Sequence, residues 1–300
     1  MVHSGIVRAM TRDGSARLIF AETTEIVKEA HRLHHTSKTM TAVLGRCLTG
    51  AAMMGSLLKD AGDSLTLGFR GDGPAGTVTC VSDYMGNVRI CAGDPTVELP
   101  PNAAGKLDVG GAIGKGTMYV AREFEHGEPY VGVAPIVSGE IAEDITSYYA
   151  SSEQTPTVCA LGVRCDTSCD CTASGGFLLQ LLPGADEKMI ALLERNVAEI
   201  VSISAMAGKP DSARVVMELI FRDIPYDVFD SYEIAYRCTC GRERYRKALL
   251  SLGRRELLGL LADRKPVETR CHFCGATYTF APEEIEEMAE SLGADETKHG

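Results

Sequence analysis

The chain has 300 residues, a formal net charge of -11 and 45% apolar residues, with no low-complexity tract. That length admits one to three domains and a sizeable core. The acidic balance argues against generic binding to a phosphate backbone, which needs Lys and Arg in excess, and no run approaches the ~18 apolar residues of a membrane span.

Residues 1–30 alternate apolar and polar in short runs and then turn helical. The stretch TMTAVLGRCLTGAAMMGSLLK, residues 39–59, is rich in Ala, Leu and Met and predicts a helix buried on most sides. From about residue 65 to 135 the β-type runs SLTLGFRG, GTVTCVSD, NVRICAG, GTMYVAREF and PYVGVAPI are separated by Gly-rich turns. EIAEDITSYYASSE predicts a helix, and GGFLLQLLPGAD, residues 175–186, an apolar strand closed by a Pro-Gly turn. Residues 186–206 then place Met189, Leu193, Val197 and Ile200 on one helical face. GKPDS breaks that helix, Asp211 is a candidate N-cap, and ARVVMELIF continues as a second helix. Four cysteines follow, and after them the acidic helix PEEIEEMAESL. The expected fold is α+β. It has a mixed α/β N-terminal domain of β-sheets and flanking helices over 1–183, a helical linker over 184–233 and a small C-terminal cysteine module over 234–300.

The chain carries eleven cysteines, and its first twenty residues, MVHSGIVRAMTRDGSARLIF, lack the apolar core of a signal peptide. The expected compartment is therefore cytoplasmic, with cysteines as reduced thiols or metal ligands rather than structural disulfides. Cys238 and Cys240 form a Cys-x-Cys pair, and Cys271 and Cys274 a Cys-x-x-Cys pair. Four thiolates in two close pairs suit one tetrahedral Zn2+. A closed shell of four leaves no open position for water, so hydrolysis at this metal is not expected, and His272 is not needed as a ligand.

A purely structural zinc knuckle is one reading of this spacing. A second is a zinc-module nucleic-acid-binding or ribosome-associated protein, because Arg237, Arg242, Arg244, Arg246, Lys247, Arg254 and Arg255 cluster around the pairs. Against it, Glu283, Glu284, Glu286, Glu287 and Glu290 offset that charge. The same cations favour the thiolate form that oxidants attack. A thiol-disulfide oxidoreductase built on Cys271 and Cys274 lacks the thioredoxin-like βαβ context.

Other motifs carry less. GGAIGKGT, residues 110–117, fails the phosphate-loop pattern at Val109 and Gly116 and reads as a Gly-rich hairpin. His31 and His35 share a helix face but lack a third ligand. No nucleophile elbow, Ser/His/Asp set or carboxylate pair stands out, so no catalytic residue is assigned.

The motifs TAVLGRCLTGAAMMGSLLK, GDGPAG, GNVR, YYASSEQTP and GGFLLQLLPGA, followed by CTC and CHFC, together resemble the 33-kDa heat-shock protein family of redox-regulated holdase chaperones. The resemblance covers nearly the whole chain. It implies a chaperone rather than an enzyme, independent of ATP and held inactive while reduced, with zinc on Cys238, Cys240, Cys271 and Cys274. It further implies that oxidants join Cys238 to Cys240 and Cys271 to Cys274, that zinc is lost and the linker unfolds, and that the activated chain forms a homodimer and holds unfolding client proteins. In that reading the linker face of Met189, Leu193, Val197 and Ile200 takes part in client binding. One departure is CDTSCDC, which groups Cys165, Cys169 and Cys171 in a loop-like stretch outside the family's switch. Asp166 and Asp170 beside them raise thiol pKa, so these three are expected to stay reduced.

Overall fold

Period-two alternation builds the first sheet. In β1 (Gly5–Thr11) and β2 (Ala16–Glu22) successive side chains face opposite sides. Ala9, Ala16, Leu18 and Phe20 pack on one side, and Ile6, Ile19 and Ala21 on the other. Both faces of this sheet are therefore covered by further elements.

The computed structural model describes residues 4–293. After β2 come α1 (Thr24–His34), α2 (Lys38–Gly55), β3 (Ser64–Gly71), β4 (Thr77–Asp83), β5 (Val88–Ala92), α3 (Val109–Ile113), β6 (Gly116–Glu123), β7 (Tyr130–Pro135), α4 (Ala142–Ser151), β8 (Thr157–Cys165) and β9 (Cys171–Leu181). They are followed by α5 (Glu187–Ala198), α6 (Ile203–Met206), α7 (Ser212–Ile220) and β10 (Tyr226–Glu233). The chain continues with α8 (Arg242–Leu250), α9 (Arg254–Leu260), β11 (Val267–Arg270), β12 (Thr277–Phe280) and α10 (Pro282–Ser291). These elements divide into two units, Met1–Arg237 and Cys238–Gly300. The architecture is α+β, as the sequence predicts.

In the first unit, one antiparallel sheet has the order β10-β1-β2-β9-β8 and another the order β5-β4-β3-β6-β7. Helix α2 packs against strands of both. Its run of Ala, Leu and Met is buried nearly end to end, and Ser37 caps it by accepting the Met40 N–H at 3.0 Å.

The segment 110–117 is not a hairpin. It forms α3 and enters β6, and backbone N–H groups of the GDGPAG turn donate to its carbonyls, Gly73 to Ile113 at 3.1 Å and Ala75 to Ala112 at 3.0 Å. A Cβ at Gly73 would lie 2.4 Å from the Ala112 carbonyl oxygen, so the turn needs glycine for this backbone approach. The N–H groups of the segment itself are also taken, Gly111 by the Asp108 carboxylate at 2.9 Å and Lys115 by that of Asp72 at 2.7 Å, which removes the phosphate-loop reading on structural grounds as well.

Helices α5, α6 and α7 cover the outer face of the first sheet. Leu193, Ile203, Val216, Met217 and Ile220 meet Leu18, Phe20, Phe177 and Leu179 in one core, with Met189, Val197 and Ile200 at its edge. The single helix expected over 186–206 is broken after Ala198, and Val201 in the break is 95% exposed. The segment Tyr226–Glu233, expected within the linker, pairs with β1 from Gly5↔Glu233 to Thr11↔Tyr226. A partner more than two hundred residues away leaves no local signature.

Two buried polar groups fasten this layer. Asn196 is fully buried and its Nδ2 donates to the carbonyls of Ile220 at 3.0 Å and Arg222 at 2.9 Å, tying α5 to the end of α7. Glu22 Oε2 on β2 accepts the Gly208 N–H at 2.9 Å, between α6 and α7.

Candidate metal centre

The second unit has a small core of Leu249, Leu257, Phe280, Ile285, Met288 and Ala289. Its β11–β12 hairpin pairs Val267 with Phe280 and Arg270 with Thr277. Cys271 and Cys274 sit in the turn. The Cys271 N–H donates to the Ala276 carbonyl at 2.8 Å, and the Gly275 N–H donates to the Cys271 carbonyl at 2.8 Å. Gly275 has φ +73°, a left-handed conformation that closes the turn. Cys238 and Cys240 lie on the irregular segment that leads into α8.

The fold brings all four cysteines together. Cys238 Sγ is 3.6 Å from Cys271 Sγ, Cys240 Sγ is 3.4 Å from Cys274 Sγ, and the four sulfurs all lie within 4.8 Å of one another. Four sulfurs each about 2.3 Å from a common ion, at the corners of a tetrahedron, would be about 3.8 Å apart. The donor set and its spacing therefore fit a closed tetrahedral thiolate site for a soft or borderline ion such as zinc. His272 is exposed and outside the cluster. No other group of metal-ligating side chains of this kind occurs among the described residues. His31 instead shares a hydrogen bond of 2.9 Å with Thr36, and His35 ends α1 in a left-handed conformation.

The surroundings of the sulfurs differ. At Cys271 burial pushes the thiol up. The backbone N–H groups of Cys274 and Phe273, with the Tyr245 hydroxyl, outweigh it and bring Cys271 down to about 7. Burial and neighbouring thiols push Cys238 up. The thiolate at Cys271 thus owes most to backbone dipoles and a phenol, rather than to the arginines that the sequence suggests.

Two tyrosines flank the site and sequence reasoning missed both. The Tyr278 hydroxyl lies 3.1 Å from Cys240 Sγ, and the Tyr245 and Tyr278 rings stack with centroids 5.1 Å apart. Of the basic residues, Arg242 lies over the Phe280 ring and donates to both oxygens of Glu284 at 2.7 and 2.8 Å. Arg246 faces Glu243 at 3.8 Å and Arg255 faces Glu256 at 3.1 Å. These pairs mute the basic face.

The model of the Hsp33 protein family matches residues 4–281. The chain belongs to the Hsp33 family. It is 42% identical over 287 residues to a 33 kDa chaperonin of Clostridium botulinum, covering 95% of this chain and 97% of that one. It is 40% identical to the 33 kDa chaperonin of Acetivibrio thermocellus, over 93% of this chain and 95% of the relative. The crystal structure of the 33 kDa chaperonin of Thermotoga maritima, a heat shock protein 33 homolog, superposes with a TM-score of 0.86 at 35% identity. That match covers 96% of this chain and 98% of the other. An Hsp33-type chaperone is thus the class to which this chain belongs, and its relatives are named as chaperonins rather than enzymes. No helix among the described residues is long and apolar enough to cross a membrane.

The third cysteine group lies elsewhere. Cys165 ends β8 and Cys171 begins β9, as partners across the strand pair, with Cys169 in the turn at φ +69°. The stretch is not wholly loop-like, because Cys171 is 1% exposed. Burial first, then neighbouring thiols, pushes Cys165 and Cys171 up to about 12. The effect expected from Asp166 is present at Cys165 but is smaller than burial.

Proposed function

We propose that this chain is a redox-regulated, ATP-independent holdase. In the reduced state Cys238, Cys240, Cys271 and Cys274 hold one zinc ion and the chaperone is latent. The observation that carries the reading is the convergence of four Sγ atoms, from two segments far apart in sequence, within 4.8 Å of one another. Bound there, a zinc ion supplies a cross-link between those segments and keeps the sulfurs as thiolates.

Oxidation acts on the donors. With peroxide, a sulfur becomes a sulfenic acid and its neighbour captures it. Two thiols lose two electrons and two protons per disulfide, and one peroxide becomes two waters. Cys238 would join Cys240, and Cys271 would join Cys274, and neither disulfide leaves a thiolate to ligate a metal. Structural zinc accounts for about 10–16 kcal/mol of apparent binding free energy in small modules. Whole domains are stable by only ~5–15 kcal/mol. Loss of the donor set is therefore sufficient to unfold a unit with so small a core.

The linker is the proposed responder, and the segments 1–183, 184–233 and 234–300 are the proposed division of labour. Leu193 is 3% exposed against the sheet, with Met189, Val197 and Ile200 beside it. Release of α5 to α7 would expose this face together with Phe20 and Phe177, an apolar surface suited to unfolding clients. Two activated chains would pair as a homodimer. A reducing compartment such as the cytoplasm would keep the four clustered cysteines as thiols until an oxidant arrives.

The test is aggregation suppression of a heat-unfolded client without ATP, by reduced chain and by chain oxidised beforehand. Suppression by the oxidised form alone supports the reading. Equal suppression by both would remove the switch, and strong salt-dependent affinity for RNA would favour the nucleic-acid alternative instead.

A further inference from the structure

Arg17, Gln180 and Thr157 stand in register across β2, β9 and β8. Gln180 is fully buried and its amide is engaged at both ends. Its Oε1 accepts from Arg17 Nε at 2.8 Å, and its Nε2 donates to Thr157 Oγ1 at 3.1 Å. Thr157 Oγ1 in turn donates to the Thr155 carbonyl at 2.9 Å. The row grips the Arg17 guanidinium by its inner nitrogen. Among the described residues no carboxylate forms an ion pair with Arg17, and burial pushes its pKa down.

Arg17 lines a cavity of about 350 Å³ together with Tyr149 and Arg122. Tyr149 is 3% exposed, and its hydroxyl has no hydrogen-bond partner among the described residues. A buried donor without a partner is costly and uncommon. The nearby carboxylates are engaged already. Glu153 takes Arg122 at 3.0 Å and the Tyr148 hydroxyl at 2.6 Å, and Asp63 accepts the N–H groups of Glu125 at 3.1 Å and Asp60 at 3.3 Å. Lys59 and Asp60 are exposed and offset each other. The cavity thus offers a preoriented guanidinium and an unpaired phenol, which together complement an oxyanion. Met54, Leu57, Leu58 and Phe124 supply an apolar wall.

We propose that this cavity binds a small carboxylate with a short apolar tail. The carboxylate takes Arg17 and the Tyr149 hydroxyl, and the tail lies along Leu57, Leu58 and Phe124. The site belongs to the first unit and is independent of the redox reading, since it uses none of the four clustered cysteines.

The experiment is calorimetric titration of the reduced, full-length chain with hexanoate, and with acetate, hexanol and inorganic phosphate as comparators. We expect saturable one-to-one binding of hexanoate. Acetate, without a tail, should bind about tenfold more weakly or worse, and hexanol, without a charge, should not saturate. Tyr149→Phe should weaken hexanoate about fivefold, and Arg17→Gln about tenfold or more. Tyr149→Phe keeps the ring, so the test rests on that variant alone if Arg17→Gln proves unstable. Absence of saturable hexanoate binding, equal affinity for hexanol, tighter binding of phosphate, or unchanged affinity in Tyr149→Phe would each overturn the proposal.

Discussion

Cys240 Sγ lies 3.4 Å from Cys274 Sγ although 34 residues separate them in the chain. Cys238 Sγ likewise lies 3.6 Å from Cys271 Sγ across 33 residues. Close sulfur contacts in the site therefore run between members of opposite pairs. Proximity there does not choose the disulfides, because the corners of a tetrahedron are equivalent. Chain entropy favours the proposed pairing within each motif, once the site opens. Closing a loop of about 33 residues rather than about 3 costs roughly 2 kcal/mol more.

The first prediction is that disulfides form within the pairs. Peptide mapping after peroxide treatment should find Cys238 with Cys240 and Cys271 with Cys274. A majority of Cys238–Cys271 or Cys240–Cys274 bridges would show that oxidation is faster than opening of the site.

A second prediction concerns Tyr278. Its hydroxyl, 3.1 Å from Cys240 Sγ, stands beside the donor set in a supporting position. Groups of this kind are worth about 10–100-fold in metal affinity. Tyr278→Phe should retain one zinc per chain but release it to a competing chelator at about tenfold lower chelator concentration. An unchanged competition curve would make the tyrosine a packing residue only.

The linker gives the third. Replacing Leu193 and Val197 with Asp puts unpaired charge against Phe20, Phe177 and Leu179, at a cost of several kcal/mol. The reduced double variant should suppress aggregation partly, with normal zinc content. Full latency with normal zinc would show that this layer is not the latch.

A fourth prediction follows from the thiols of the β8–β9 hairpin. The fold holds Cys165 and Cys171 up to about 12, from an ordinary value of 9.0. Below about pH 9 they are neutral in both states and cost nothing. As pH rises from about 9 towards 12, the unfolded chain ionises first, so stability falls across that window. The urea midpoint should drop between about pH 8 and about pH 10.5, and less so in Cys171→Ala. At neutral pH the same shift leaves about one thiol in 10⁵ ionised, so Cys271 should label and oxidise before Cys165 and Cys171. Earlier oxidation of any of Cys165, Cys169 or Cys171 would mean a second sensor.

The sequence made some of this legible, and the reason is range. The four cysteines stand out because each pair is local, and α2 stands out because an unbroken Ala, Leu and Met run has few other uses. The tyrosines do not, since an aromatic among polar residues reads as packing until its hydroxyl is placed against a sulfur. Asn196 and Glu22 are polar residues whose burial rests in part on partners 24 and 186 residues distant. The break after Ala198 escaped because the apolar spacing continues through Val197 and Ile200 while the backbone turns away. In the Gly-rich segment, glycine spacing could not distinguish a hairpin from a short helix packed against another glycine turn.

The central claim is that ligation by Cys238, Cys240, Cys271 and Cys274 is the latch. The most direct measurement is one peroxide time course on the full chain that follows zinc release with a chromogenic chelator, free thiols by labelling, and aggregation suppression on withdrawn samples. The account predicts release of one zinc per chain as these four thiols disappear, with suppression rising only afterwards. Full suppression while zinc is still held, or complete release of zinc with the chain still latent, would contradict it.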